Sequence, residues 1–462
     1  MKQKEVSDKD KLELSNRQEG HFFDRKAKEI DGKKIQKIAV AFANADGGDF
    51  IIGIKDDGDE LEPNKRWNGS DNKEYFNKVF QNILEIKPSI PYTPTFLFDP
   101  KTNTYTLLIT IEKSEKVHST SDNTVYVRVS ASSIPIKDPQ RIQELSFAKG
   151  ESSFEDLVYK DALAEDIFES QEMKRFLNDY SPESNPIDFT INQNLIDRTN
   201  FEPKICGLLL FNDNPVTLLP RKCGIKITRY DTSEKIPERI HLKEQISIEG
   251  SLYEQIHKSS SAVTEIMSNV KIWTPKGLEN VNYPPETLWE IIVNAVIHRD
   301  YSISDDIHIL IFNNRIEVNS PGRLPGYVTL SNILDARYSR NTKIVRTLNR
   351  YKNPPNKDMG EGLNTAFQKM KEWRLKEPAI VVDGNYLKVV ISHAPLATPE
   401  ESIIEFLNNN PQIKNRQARQ LSGIKSENVM KNIFYKLRNE GLIEPVMSKN
   451  GTTIVAWKKV IT

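Results

Sequence analysis

An α+β multidomain protein is what this 462-residue sequence predicts, on three observations. Residues 14 to 146 mix apolar runs of strand length with helical patterns. A long apolar helix with one polar stripe follows near residue 290. From Glu400 onward the pattern is three short helices and a hairpin. At roughly 150 residues per domain the length suits about two to four domains, each able to bury a sizeable core.

In order along the chain, Lys33 to Ala43 sets Ile35, Ile38, Ala39 and Phe42 at helical spacing, and Asn44-Ala-Asp-Gly-Gly48 breaks that helix. Phe50 to Ile54 reads as a buried strand closed by the turn Asp56-Asp57-Gly58-Asp59. A helix is expected over Lys73 to Ile86, with strands over Thr95 to Phe98, Tyr105 to Glu112 and Thr124 to Val129. Ser130 to Ser133 and Lys149 to Ser153 read as the approach to a boundary. Beyond it, Ile205 to Phe211 and Gly224 to Tyr230 look like neighbouring strands, and Leu252 to Val270 is a long amphipathic helix. This stretch carries no catalytic constellation and reads as scaffold. After the loop Ala394 to Pro399, helices are expected over Ser402 to Asn409, over Asn415 to Leu421, and from Ser426. The last has Val429, Met430, Ile433, Phe434 and Leu437 as its apolar face, and Asn450-Gly451 is a hairpin turn. The expected domains are 1–148, 149–275, 276–396 and 397–462.

Lys and Arg together number 64, as do Asp and Glu, so overall charge argues neither for nor against a nucleic-acid partner and local patches must decide. No apolar run approaches the ~18 residues of a membrane helix, and the first ten residues are polar and charged, so neither a membrane span nor a signal peptide is expected. The two cysteines, Cys206 and Cys223, read as small buried hydrophobes, and no Cys/His cluster has zinc-ligand spacing. The expected location is the cytoplasm.

The helix opened by Pro284-Pro285-Glu286 places Glu290, Asn294 and His298 four apart, hence on one face. Its other faces are apolar, so the stripe must be paired or must face a cavity. A carboxylate that can orient water, an amide that can ligate a hard cation and an imidazole that can touch phosphate suit a metal–phosphate ligand. Ser320-Pro321-Gly322-Arg323 follows a strand over Arg315 to Asn319. Arg340-Asn341 comes next, then Asp358-Met359-Gly360-Glu361-Gly362 opens another helix. Glycines ahead of a helix N-terminus let backbone approach an anion.

With these motifs the segment from about Pro284 to Ile391 resembles the GHKL ATP-binding domain, an α/β sandwich, in the divergent form often labelled RecG-like. The resemblance implies ATP and Mg²⁺ as cofactors. It makes Asn294 the Mg²⁺ ligand, places His298 near the phosphates, and gives Glu290 the role of general base if ATP is hydrolysed. Gly322 would line the adenine pocket, Ser320 and Asn341 would contact the nucleotide, Gly360 and Gly362 would cradle phosphates, and Tyr327 to Met359 would form the lid. Ser320 stands where the wider family has an aspartate that bonds the adenine amino group, which leaves base selectivity open. No G-x-x-x-x-G-K-[ST] loop occurs, so a helicase motor is not expected.

Near the N-terminus, Glu19-Gly-His-Phe-Phe-Asp24-Arg-Lys26 sets Asp24 and Lys26 on one face of a strand. Carboxylates with a lysine can clamp Mg²⁺ and an attacking water, as metal-assisted phosphodiester cleavage requires, though charged strand ends are commonly solvated edges. Together with Ala41-Phe-Ala-Asn-Ala-Asp-Gly-Gly48, Ile52-Gly-Ile-Lys-Asp-Asp-Gly58 and Tyr126-Val-Arg128, this segment resembles the Schlafen-type AlbA-like domain over about Leu14 to Pro135. That family is regarded as nucleic-acid binding, and some Schlafens cleave transfer RNA through three acidic residues. Here Glu19 and Asp24 match the first two, Asp56 or Asp57 is the candidate third, and Asp24 replaces a glutamate.

The C-terminal unit has a winged-helix pattern, with ten Lys/Arg against six Asp/Glu from Glu400. Winged helices read DNA with the third helix in the major groove, which makes Lys425, Asn428, Lys431, Asn432 and Lys449 candidates for nucleic-acid contact. A protein-interaction winged helix is the competing reading, since the third helix has no arginine before Arg438. The chain thus reads first as a nucleotide-gated DNA- or RNA-binding protein acting as a homodimer or higher homo-oligomer. The alternatives are an ATP-regulated Mg²⁺-dependent nuclease, suited to antiviral defence, and a nucleotide-responsive transcriptional regulator.

Overall fold

The structure, a computed structural model, describes residues 2–460 except 57, 59, 61, 220–222, 275–276, 357–361, 374, 394–398, 423, 425 and 449–453. The chain divides into two compact units, Met1–Lys369 with Pro378–Ile391 and Met370–Glu377 with Ser392–Thr462.

The first unit contains two large sheets. The N-terminal sheet uses β1 (Lys2–Glu5), β2 (Phe23–Lys26), β3 (Gly48–Ile52), β4 (Tyr92–Asp99) and β5 (Thr104–Ile111), in the order β1-β4-β5-β3-β2. The Gly32–Asn44 helix buries Ile35, Ile38, Ala39 and Phe42 against this sheet, as their spacing requires. Asp31 caps that helix by accepting the Lys33 N–H. Residues 130 to 133, read as the approach to a boundary, instead turn a hairpin between β6 (Val125–Val129) and β7 (Ser132–Ile136).

The second sheet is built from β8 (Ile225–Tyr230), β9 (Leu242–Ile248), β12 (Ile307–Ile311), β13 (Arg315–Pro321), β14 (Ala379–Asp383) and β15 (Tyr386–Ser392), while β10 (Lys271–Thr274) and β11 (Gly277–Asn280) form a separate hairpin. Its order is β14-β15-β13-β12-β8-β9, so strands on both sides of the expected boundary at residue 275 belong to one sheet, with β8 and β12 parallel. The Leu252–Ser268 and Pro285–Ile297 helices pack together. Ile205 to Phe211, expected as a strand, is a helix with every residue buried. An apolar run of seven has no periodicity to separate a buried strand from a buried helix, and this one is rich in leucine, a helix former. It carries Cys206, which is buried, as is Cys223.

In the second unit the helices Pro399–Asn409, Asn415–Ser422 and Glu427–Asn439 pack with a hairpin of β16 (Ile443–Met447) and β17 (Ile454–Lys459). Phe434 stacks on Trp457 at the centre of that core. The expected Asn450-Gly451 turn lies outside the described residues. Among the described residues, no helix is long and apolar enough to cross a membrane.

Candidate nucleotide face and N-terminal acidic cluster

The Pro285–Ile297 helix starts with Pro285 in its first turn, where the missing N–H costs nothing, and ends at His298. Leu288, Ile291, Ile292, Val293, Val296 and Ile297 are buried, while Glu290, Asn294 and His298 are half-buried on one face, so the polar stripe is real. The Asn294 Nδ2 is buried and, among the described residues, has no hydrogen-bond partner. An orphaned donor on a polar face is costly unless a ligand's acceptors satisfy it. Burial and the neighbouring Arg340 guanidinium push the His298 pKa down to about 4, so its imidazole is neutral near pH 7 and can either donate or accept. Gly362 opens the Gly362–Glu372 helix, and a Cβ there would fall 2.2 Å from Glu290 Oε2. The carboxylate therefore lies against the start of that helix. Gly360 lies outside the described residues.

Other expected nucleotide contacts have different partners. Ser320 Oγ donates to the Ala295 carbonyl at 2.8 Å, tying β13 to the stripe helix. Asn341 Nδ2 donates to the Ile297 and Arg299 carbonyls at 3.0 and 2.8 Å and closes the helix C-terminus. Both side chains are buried. Gly322 has φ +120°, and a Cβ there would meet Arg340 Nη1 at 2.3 Å and Asp300 Cβ at 2.8 Å. That side of the glycine is filled by Arg340 and Asp300. Arg340 is the residue whose role the sequence did not disclose. Its guanidinium donates to the carbonyls of His298, Arg323 and Ala148, with Asp300 3.7 Å away. Three carbonyls from distant segments meet on one cation, and spacing along the chain gives no sign of it.

At the N-terminal cluster, β2 does turn Asp24 and Lys26 to the same face. Lys26 Nζ lies 2.7 Å from Glu19 Oε1, 3.0 Å from Asp24 Oδ1 and 3.8 Å from Asp56 Oδ2. The lysine ammonium thus stands among the carboxylates that were expected to hold a divalent ion. Among the described residues, no group of three or more His, Cys, Asp or Glu is placed to hold a metal. Asp57 lies outside the described residues, while Asp56 joins the cluster. Asp24 Oδ2 also pairs with Arg128 Nη1 at 2.7 Å, both side chains being almost fully buried. Arg128 further donates to the Gly20 and Phe23 carbonyls and covers the Phe42 ring, which accounts for the Tyr126-Val-Arg128 motif. Burial raises the Glu19 pKa despite the hydrogen bond from Lys26.

A third polar group joins the two sheets' neighbourhoods. Asp46, in the loop after the Gly32–Asn44 helix, accepts from Arg323 Nη2 at 2.9 Å, bonds His21 Nε2 at 2.9 Å and lies 3.5 Å from Lys113 Nζ. Lys113 also donates to the Leu324 and Val328 carbonyls. Burial alone would raise the Asp46 carboxyl, but the His21 hydrogen bond and the Arg323 and Lys113 charges hold it below its ordinary value. Close by, Lys149 donates to the Ala43 carbonyl, Gly326 N–H donates to the Lys149 carbonyl, and Tyr338 Oη donates to the Gly150 carbonyl. The segment 321–340 after β13 is therefore bonded directly to the N-terminal domain.

In the second unit Asn428, Lys431 and Asn432 are exposed on the Glu427–Asn439 helix, with Lys431 paired to Glu427 one turn earlier. Val429, expected in the core, is exposed, while Met430, Phe434 and Leu437 are buried. Lys425 and Lys449 lie outside the described residues.

Comparison with known proteins agrees with this architecture. Residues 19–137 match the family Schlafen, AlbA_2. Residues 304–391 match HATPase_c_4, described as "Putative ATP-dependent DNA helicase recG C-terminal". The second match begins after the Glu290–His298 stripe. No curated protein matches the chain. Among solved structures, the crystal structure of the DIP2311 protein from Corynebacterium diphtheriae is similar at 17% identity and a TM-score of 0.42, covering 95% of this chain and 92% of that one.

Proposed function

We propose, from a chain that joins a Schlafen AlbA_2 domain to an ATPase-type domain, that it binds nucleic acid under the control of a bound nucleotide. Asn294 and His298 would hold the Mg²⁺–ATP phosphates, and ATP-borne Mg²⁺ would supply charge neutralisation there. The Asn294 donor, which has no partner among the described residues, supports a polar ligand on this face. Glu290 and Gly362 already touch, so phosphates entering between them would displace a carboxylate from a helix N-terminus, a position that favours anions.

The single observation that carries the gating reading is the Asp46–Arg323 ion pair with its neighbour Lys113. Arg323 follows Gly322 directly, and Asp46 lies in the loop of the N-terminal domain that also bonds His21, two residues from Glu19. A shift of the glycine loop would thus be felt beside the acidic cluster. Calorimetry with Mg²⁺–ATP on wild type and Asn294→Ala tests the nucleotide site: binding is expected for the first and lost for the second. Equal binding by both would refute the site. A homodimer or higher oligomer is part of the same reading.

Metal-dependent cleavage is the second reading, favoured by the approach of Glu19, Asp24 and Asp56 to one point. It requires a divalent ion to displace Lys26. Incubation with Mg²⁺ and labelled transfer RNA, single-stranded RNA or DNA tests it. No cleavage, or cleavage unchanged in Glu19→Gln/Asp24→Asn, rejects it.

A further inference from the structure

The turn before β2 carries an aromatic ring with no part in the acidic cluster. Phe22 is 55% exposed, more than any other Phe, Tyr or Trp among the described residues. A single exposed ring is ordinary on a protein surface, but this one stands on a pinned backbone. Gly20 N–H donates to the Phe23 carbonyl at 2.9 Å, and the Phe22 carbonyl accepts the Asp49 N–H at 2.9 Å. The buried Arg128 donates to the Gly20 and Phe23 carbonyls at 2.9 and 3.3 Å, one on each side of the ring's residue. The His21 ring meets Phe22 edge-on at 4.8 Å between centroids, and His21 Nε2 bonds the Asp46 carboxylate. A ring on so fixed a turn gives up little freedom when a ligand stacks on it.

Its surroundings select the ligand. Phe22 precedes Asp24 by two residues, so their Cα atoms are at most about 7 Å apart, and Lys26 Nζ stands 3.0 Å from the Asp24 carboxylate. The two aspartates that bond this turn each hold an arginine: Arg17 Nη1 lies 3.6 Å from Asp49, and Arg323 Nη2 lies 2.9 Å from Asp46, both side chains being half-exposed. Ion pairs so open to water are worth little, so either arginine can turn to a phosphate. An exposed ring with two arginines at hand suits flat bases on a phosphate chain. An apolar protein side chain would use the ring and neither arginine. In a duplex both faces of a base are covered by its neighbours, whereas an unpaired strand can present them to an aromatic side chain. Resting on the nucleic-acid reading above, we infer that Phe22 stacks on an unpaired base of single-stranded nucleic acid and so sets the strand's phosphates beside Lys26, Glu19 and Asp24.

Fluorescence anisotropy on the full chain, with labelled single-stranded RNA, single-stranded DNA and the matching duplexes, tests the stack. Phe22→Ala is expected to bind the single strand that wild type prefers about 5- to 150-fold more weakly, the loss of one base stack, with duplex affinity unchanged. Phe22→Tyr keeps the π-face and should keep wild-type affinity. Phe22→Leu, apolar without that face, should behave as Phe22→Ala. The salt slope should be the same in all four proteins, because no phosphate contact is removed. The side chain is exposed, so the melting midpoint should not move. Single-strand binding undiminished in Phe22→Ala, or restored in Phe22→Leu, would overturn the stack while the nucleic-acid reading stands, and so would an equal loss on duplex and single strand. A wild type that binds no nucleic acid even at low salt would overturn both.

Discussion

Two residues with buried charge set the sharpest expectations. Asp24 and Arg128 are paired at 2.7 Å out of solvent. Removing the carboxylate leaves a guanidinium desolvated with neutral partners, the Gly20 and Phe23 carbonyls and the Ser133 hydroxyl, to answer it, and breaking a buried pair in this way costs about 3–5 kcal/mol. Asp24→Ala should therefore lower the urea midpoint strongly, whereas Glu19→Ala, at a partly open position, should cost much less. An Asp24→Ala loss of activity would then report unfolding, and Asp24→Asn is the variant to use in cleavage assays. Glu155 gives a pH signature. Its carboxylate accepts the Lys343 and Ile344 N–H groups at 2.9 and 3.0 Å and so caps the Thr342–Leu348 helix. Burial nevertheless pushes its pKa from 4.5 up to about 7. Between those two values the folded chain keeps a proton that the unfolded chain releases, so this group's contribution to stability falls as pH rises from 4.5 to 7. In Glu155→Gln that part of the slope should vanish from a thermal-denaturation series, while one of the two capping N–H bonds is lost because the amide offers a single acceptor oxygen. An unchanged slope would show that the carboxyl does not titrate in this window.

At the scale of elements, the loop after β13 is shaped by one glycine. Gly322 combines φ +120° with Arg340 and Asp300 packed where a side chain would go. Gly322→Ala should cost about 1–3 kcal/mol from the backbone alone, and more from the clash with Arg340. It should also weaken nucleotide binding, a joint loss that calorimetry and a melting curve would register in one preparation. How far such elements can be read from sequence depends on whether their signal is local. The stripe of Glu290, Asn294 and His298 and the helices of the second unit were legible because helical periodicity lies within a few residues. Ile205 to Phe211 was misread because a run buried on every side carries no period. The strand pairing of β8 with β12 was illegible for another reason: it joins positions about eighty apart. Arg340 was invisible as a hub because its three carbonyl partners lie 17 to 192 positions away. The bonds of Ser320 and Asn341 to backbone carbonyls of the stripe helix and the turn after it were illegible for the same reason.

For the molecule as a whole the question is whether the ATPase-type domain and the AlbA_2 domain act on one another. Segment 321–340 donates to the Asp46 carboxylate and to the carbonyls of Ala148, Lys149 and Gly150 through Arg323, Arg340, Gly326 and Tyr338. Such a contact transmits binding only if nucleotide prefers one of two arrangements of it. If it does, linkage requires reciprocity: nucleic acid must change the ATP affinity by the same factor by which ATP changes the nucleic-acid affinity, ordinarily about 5- to 150-fold. Measuring both at one salt concentration is essential, because phosphate contacts make nucleic-acid affinity steeply salt-dependent. Arg323→Ala cuts the link from the nucleotide side at a side chain that is 45% exposed, so the fold should survive. Asp46→Asn cuts it from the other side. Each variant should keep its affinity for either ligand alone, while the coupling factor falls toward one. If both keep the wild-type factor, the gating signal does not pass through Asp46 and Arg323. If the wild-type factor is already one, the two domains bind independently and the gating reading is lost.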